Sequence, residues 1–562
     1  MSDENANSTA MRTPGGRPVQ VIGDASLITL ERFHEIGKRL DSDPRIASVS
    51  LFPSAEKDGT FLRATAPAGA AIVITMDATE LAGEVDPSED LGAWSRATSE
   101  RGLWHDWLLS SDVAVRRAPV IAEPAPIDLE ELTDPSGSHY RTFEAPAPTE
   151  TITIAIDVTW LGPHETGAQV LTTAAIDALA SNPRVATIRL FGADELPVYA
   201  QHVLDHPTVI LEKDAQDDEP ADIVWFPNQI DQRSNIADAR ARGRRVITTY
   251  LDLIAYDIPR YHASHEAWAA YRRLQRRIAL SVDGITTISA DVAKRLYQEV
   301  PRLETDRILP VPLGLDHITA ADVPTEPPSE VHAIANLNRP YLLVLGNDFR
   351  HKNRDFAIKV WQRLLDRNVS CDLVLAGLHV KGSSTADLEA TLLASHVNLR
   401  GAIHTFGHVS HESRVWLLGN AAAVLYPSSA EGFGFVPYEA AVMGVPSSFA
   451  AFGPLAELTG VSDVPASWNV DAFADDLEVL LADVAVRDAR VRALQQALAT
   501  QTWSAFADTL VDFFMTISQK PSVQTSVLGS DSTKDAAALA AVLSSRTWRV
   551  AQRLRRAVPG RS

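Results

Sequence analysis

The stretch that most constrains this chain runs Tyr426-Pro-Ser-Ser-Ala-Glu431-Gly-Phe-Gly-Phe-Val-Pro-Tyr-Glu439-Ala, where two glutamates eight positions apart bracket a glycine turn and a helix start. The apolar run Ala421 to Leu425 reads as a short buried strand and Pro427 to Gly434 as the loop at its carboxyl end. Val436 to Met443 reads as the helix that follows, with Pro437 fitting its first turn. A strand feeding a helix in this way belongs to a parallel α/β sheet, whose ligands lie outside the carboxyl ends of the strands. Gly432 and Gly434 let the backbone approach a ligand closely, and the free N–H groups at the helix start favour phosphate. Taken singly, a glutamate near a helix N-terminus is a dipole partner and a Gly-x-Gly pair is a weak signal. Together, Glu431 in the loop and Glu439 a turn into the helix face one crevice, and each carboxylate is an acceptor suited to vicinal hydroxyls. Two such grips beside an anion site describe a nucleotide diphosphate sugar.

A chain of 562 residues exceeds one core, and about 150 residues per domain suggests roughly three or four units. Residues 1–17 are expected to be disordered and 18–125 to form a small accessory α/β domain. In the latter, Val19 to Ile22, Ala47 to Phe52 and Ala71 to Met76 read as strands, and Leu30, Phe33, Ile36 and Leu40 share a helix face. The proline-bearing, acidic stretch 126–150 reads as a linker. From Ile152 to Asp157 onward, strands alternate with helices, predicting doubly wound parallel sheets over 151–328 and 329–518, divided at Pro324 to Pro328. Residues 519–562 read as a linker and a basic amphipathic helix, with Val550, Leu554 and Val558 beside Arg546, Arg549, Arg553 and Arg556. That helix fits an anionic membrane surface or the protein's own acidic surface equally well. A net charge of -21 argues against nucleic-acid partners, and the single Cys371 suits a reducing compartment. No apolar leader or span is evident, so a cytoplasmic location is expected, with peripheral contact at the inner membrane face through the basic helix.

The Glu431 to Glu439 segment resembles the E-x7-E signature of retaining GT-B glycosyltransferases of the family-four, or group 1, type. Tyr341-Leu-Leu-Val-Leu-Gly346-Asn347-Asp-Phe-Arg350-His-Lys352-Asn353 is similar to that family's first strand of the C-terminal domain and its basic loop, and Phe406 to Ser410, Gly444 to Pro446 and Pro454 to Gly460 also fit. In the N-terminal half, Leu161-Gly-Pro-His164-Glu-Thr-Gly167 resembles the glycine loop that reaches toward donor and acceptor, and Ile308 to Asp316 resembles the domain exit. The resemblance implies two Rossmann-like domains facing a cleft. Glu431 would hold sugar hydroxyls, Glu439 the ribose, and Lys352 with Arg350 the departing diphosphate. Gly346, Asn347, Gly432, Phe433, Gly434, Phe435 and Val436 would line the donor site, while Gly167 and His164 would lie on the acceptor side. Neither a metal nor a cofactor is implied; the donor would be GDP-mannose or a UDP-sugar, and the acceptor a polysaccharide or lipid-linked glycan.

Two positions depart from the family pattern. Asn347 stands where relatives often carry a basic residue, so that Arg350 would substitute. Tyr250-Leu251-Asp252 stands where relatives often show a His-Asp pair, leaving Asp252 the acceptor-side role and His164 as a replacement donor. These departures keep open a catalytically silent sugar-nucleotide-binding or scaffold protein, and a GT-B epimerase is a third reading. Leu40 to Ser50 and Gly102 to Trp107 faintly resemble the back half of a family-two GT-A domain. There, Asp41-Ser42-Asp43 matches the metal motif by letter but follows a helix, so the region reads as degenerate or accessory.

Overall fold

The computed structural model describes residues 11–523 apart from 24–27, 29, 53–70, 78–79, 81–84, 86–90, 110–115, 119–149, 164, 213–218, 231–235, 301–302, 381, 396–402, 460 and 462. His164 and the basic tail from Arg546 to Val558 therefore lie outside the described residues. The described strands fall into three sheets.

The first sheet holds β1 (Met11–Arg12), β2 (Pro18–Gly23), β3 (Ile46–Phe52), β4 (Ala71–Thr75), β5 (Trp104–Leu109) and β6 (Arg116–Ala118), in the order β1-β2-β4-β3-β5-β6. Only β3 and β5 run parallel; the other pairings are antiparallel. Met11 pairs with Val19, so part of the stretch expected to be disordered forms an edge strand. The Asp41-Ser42-Asp43 carboxylates act within this unit. Asp41 closes the helix Leu30–Asp41 and accepts from the Gly15 N–H and the Thr13 hydroxyl, and Asp43 pairs with Arg45.

The second sheet comprises β7 (Ile152–Asp157), β8 (Val185–Phe191), β9 (Val209–Leu211), β10 (Ala221–Phe226), β11 (Gly243–Tyr250), β12 (Gly284–Thr287) and β13 (Ile308–Pro310), in the order β13-β12-β11-β10-β7-β8-β9. The third comprises β14 (Tyr341–Leu345), β15 (Asp372–Ala376), β16 (Ile403–Phe406), β17 (Ala423–Tyr426) and β18 (Ser447–Phe449), in the order β16-β15-β14-β17-β18. Every pairing in both is parallel. β14, Tyr-Leu-Leu-Val-Leu, is buried at all five positions, as a parallel strand with both faces covered requires. The two units face each other across a cleft that residues of both line, as the two-domain expectation requires.

The chain leaves β13 through Gly314 to Asp316 and returns at Gln501 to Trp503: Leu315 N donates to Gln501 O at 2.9 Å, and Trp503 N to Asp316 Oδ1 at 2.8 Å. The helix Trp503–Ser518, expected with the third sheet, instead packs on the second. Phe514 meets Trp225 edge to face with ring centroids 5.9 Å apart, and Asn182 donates to Asp508. Its apolar face, with Phe506, Leu510, Val511, Phe513, Phe514 and Ile517 buried, fits either sheet by pattern alone; the pairing of 501–503 with 315–316 starts the helix beside the second sheet.

Candidate active site

Between the second and third sheets lies a cavity of about 700 Å3, within the size range of small-ligand sites. Lys352 reaches it from a short 3-10 turn, Arg350–Lys352, that follows β14 and ends at Asn353 in the left-handed conformation, φ 51°. Asparagine tolerates that conformation better than most residues. Here its amide donates to Pro427 O at 2.8 Å and Ser429 Oγ at 3.0 Å, fastening the lysine loop to the loop that carries Glu431.

Lys352 Nζ lies 2.5 Å from Glu431 Oε1, and the Tyr426 hydroxyl donates to the same oxygen. Burial, and then the Glu431 charge, push the Tyr426 hydroxyl well above its usual range, so it remains a donor. His351 is held neutral by burial and then by Lys352, and its Nδ1 shares a hydrogen bond with the Tyr261 hydroxyl. Glu431 thus sits among one cation and one phenol, all three lining the cavity.

Gly434 begins the helix Phe435–Val442 at φ 89°, a conformation that a side chain would strain. Gly432 is required for another reason: a Cβ there would fall 1.8 Å from the Leu251 carbonyl oxygen, so the third unit's loop touches the second unit's loop backbone to backbone. Phe433 packs against Phe435 and Tyr438 and is buried, while Phe435 and Val436 line the cavity.

Glu439 is 2% exposed. Its Oε1 accepts from Arg414 of the helix His411–Asn420 and lies 3.4 Å from His317 Nε2, just past the domain exit. Burial favours the neutral carboxyl, but Arg414 and His317 outweigh it and bring the pKa down to about 2. The second oxygen, Oε2, is buried and has no hydrogen-bond partner within the protein, at a residue that lines the cavity.

Asp252 lines the opposite wall, where Oδ1 accepts from Ile254 N at 2.8 Å. Gln229 braces this loop by donating to Asp252 O at 2.7 Å and accepting from Leu251 N at 3.3 Å. Burial, with the Glu431 charge adding to it against the Ile254 N–H, raises the Asp252 carboxyl to about 6. Gly346, Asn347 and Gly167 also line the cavity; Asn347 Oδ1 accepts from Leu378 N at 3.2 Å, and Gly167 lies against the Phe435 ring.

Arg350 is not brought to the cleft. Its guanidinium turns toward the first unit and pairs with Glu100 at 2.9 Å, because positions 350 and 352 of a 3-10 turn point in different directions. Arg414 and His317, which sequence reasoning passed over, are instead placed against Glu439. Arg414 carried a signal: a cation in the first turn of a helix opposes the dipole and implies a carboxylate partner.

Residues 330–497 match the family model described as glycosyl transferases group 1. The chain is 26% identical over 280 residues to the Escherichia coli protein named O-antigen chain mannosyltransferase B, covering 47% of this chain and 71% of that protein. It is 30% identical over 200 residues to a D-inositol 3-phosphate glycosyltransferase of Nocardiopsis dassonvillei, covering 34% of this chain and 46% of the relative. A glycogen synthase of Mycobacterium tuberculosis is 33% identical over 180 residues, covering 31% and 42%. The chain thus spans less than half the length of these last two relatives. Among solved structures, sucrose-phosphate synthase from Thermosynechococcus elongatus is similar with a TM-score of 0.48 at 18% identity, covering 65% of this chain and 99% of that one. The Anabaena protein HepE in complex with UDP and glucose is similar with a TM-score of 0.47 at 15% identity, covering 65% and 100%. A glycosyltransferase is the enzyme class that the family match and the curated relatives support.

Proposed function

We propose that the protein is a retaining hexosyltransferase that moves mannose, ahead of other hexoses, from a nucleotide diphosphate sugar to a growing polysaccharide or lipid-linked glycan. The observation that carries the reading is Glu439: a charged, buried carboxylate with one oxygen fixed by Arg414 and the other unpartnered beside the cavity. Oε2 accepts the ribose diol, and the backbone from Gly432 to the start of the helix Phe435–Val442 receives the diphosphate with Lys352. Glu431, with Oε1 already holding Lys352 and Tyr426, orients the hexose hydroxyls.

In the transfer, the bond from the anomeric carbon to the diphosphate oxygen breaks and its electron pair leaves with the phosphate, where Lys352 and the loop N–H groups meet the growing negative charge. The acceptor hydroxyl attacks on the same face and gives its proton to the departing phosphate. Asp252 positions the acceptor. No metal or cofactor is assigned. The preference for mannose leans on the similarity to the Escherichia coli mannosyltransferase. A lipid-linked acceptor would be reached from a cytoplasmic membrane face, a role for the basic tail read from its sequence pattern alone.

Calorimetry of GDP- and UDP-sugars against the wild type and Glu439→Gln, followed by slow donor hydrolysis, tests the reading. Binding of one donor, lost in the variant and accompanied by sugar release, is expected; no binding of any donor overturns it. Leu251, in place of a family histidine, favours one second reading, the catalytically silent module. That reading predicts binding with no hydrolysis and no transfer to any glycan acceptor.

A further inference from the structure

The first unit meets the cleft from behind through three consecutive residues. The Glu100 carboxylate pairs with Arg350, and the Gly102 backbone abuts Ala430, to whose Cβ a side chain at 102 would come within 2.8 Å. Between them, Arg101 is 2% exposed yet far from bare of partners. Its guanidinium donates to both Asp355 oxygens at 2.7 and 2.6 Å, to Asn353 Oδ1 at 2.9 Å and to the Arg350 carbonyl at 3.0 Å, while its own carbonyl accepts from Ser429 Oγ.

These contacts flank Lys352 on both sides and hold the residues just before Glu431. Lys352 lies between Arg350 and Asn353, and Glu431 is two residues beyond Ser429. Asn353, in its left-handed turn, is held on one side by Arg101 and on the other by Pro427 and Ser429. A lysine ammonium is a point charge on a flexible stem, so its placement depends on how firmly its backbone is held. The planar, forked guanidinium is the side chain that can fix a carbonyl, an amide and a carboxylate at once.

We propose that Arg101 is a positioning residue of the transfer site, by which the first unit sets the Lys352 and Glu431 loops for the donor diphosphate. The inference rests on the reading of the cleft given under Proposed function. The accessory unit then serves the chemistry of a cleft it does not line.

Removing Arg101 alone leaves Asp355 buried without its cation, which is destabilising in itself, whereas replacing both members of a buried pair by apolar residues is far better tolerated. The test therefore uses the full-length chain with Arg101→Lys, Arg101→Met and the double variant Arg101→Met/Asp355→Leu, with Glu80→Gln as a control. Glu80 joins the same unit to Asn469 and Val470, away from the cleft. Folding is followed by circular dichroism and melting temperature, and calorimetry compares UDP and GDP with uridine and guanosine. In the folded double variant, diphosphate affinity is expected to fall at least tenfold while nucleoside affinity stays within threefold of wild type; Arg101→Lys falls between, and Glu80→Gln matches wild type. Unchanged diphosphate affinity in the folded double variant, or equal losses for nucleoside and diphosphate, overturns the role of Arg101 alone. Wild-type protein that binds no nucleoside diphosphate overturns the reading of the cleft, and this inference with it.

Discussion

The two glutamates of the cleft, eight residues apart, live under opposite electrostatic rules. Around Glu439 the charge is fixed: Arg414 and His317 hold a buried carboxylate ionised, its pKa brought down to about 2. Around Glu431 charges are shared among Lys352, Tyr426 and a facing Asp252 whose pKa is raised to about 6. One end of the cleft is set before any ligand arrives, which the proposed ribose contact would benefit from; at the other, the Asp252 carboxyl changes its charge near neutral pH, so the wall proposed to position the acceptor depends on pH.

The largest expected effect separates these ends by rate and affinity. On the proposed function, Lys352→Met removes the cation that meets the leaving phosphate and lowers kcat about a thousandfold, on the scale of losing one oriented donor, while Kd for uridine or guanosine, assigned there to the Glu439 end, stays unchanged. An equal loss of nucleoside affinity would erase the distinction between the ends. At the fixed end, Arg414→Met leaves Glu439 without its main counter-ion and costs about 3 kcal/mol of folding stability, measured by urea unfolding at neutral pH. Because the native pKa of Glu439 lies below its unfolded value, wild-type stability from this group is present above about pH 4.3 and lost as pH falls toward about 2. The variant flattens that slope.

Asp252 carries the opposite sign. Its native pKa is raised, so the native state binds the proton more tightly, and this group's contribution favours folding below about pH 3.9 and is lost as pH rises through about 6. Asp252→Asn loosens the placing of the acceptor and is expected to lower kcat about a hundredfold. The acid limb of kcat/KM, with a midpoint near 6, is absent from its residual activity; a limb that persists assigns it to another group. The smallest effect is at Gln229, which only braces the Leu251–Asp252 backbone. Gln229→Ala costs about 1 kcal/mol and changes KM for the acceptor more than Kd for the nucleotide.

What the sequence made legible was local. The strand–loop–helix around Glu431 and Glu439, the buried strand Tyr341–Leu345 and the basic loop at Lys352 follow from periodicity and from residue chemistry within a dozen positions. What stayed hidden joins distant parts of the chain. Arg350 and Lys352 look equivalent as letters, yet a tight turn sends them to different units. His317 and Glu439 meet across 122 positions, and Arg101 and Asp355 across 254. A leucine at 251 looks like the loss of a functional side chain, while the group that matters there for packing is its carbonyl, against Gly432. The apolar face of Trp503–Ser518 announces burial without naming the sheet that it covers.

That last helix carries a consequence for the birth of the protein on the ribosome. The second sheet is strung together by Pro310, but the surface around Trp225 and Gly284 receives its cover, Phe513, Phe514 and Ile517, about 200 residues later. At ordinary rates of translation that delay is roughly 10 to 40 seconds. Throughout it the second sheet lacks the cover of Phe513, Phe514 and Ile517, so its packing is completed only once the chain returns.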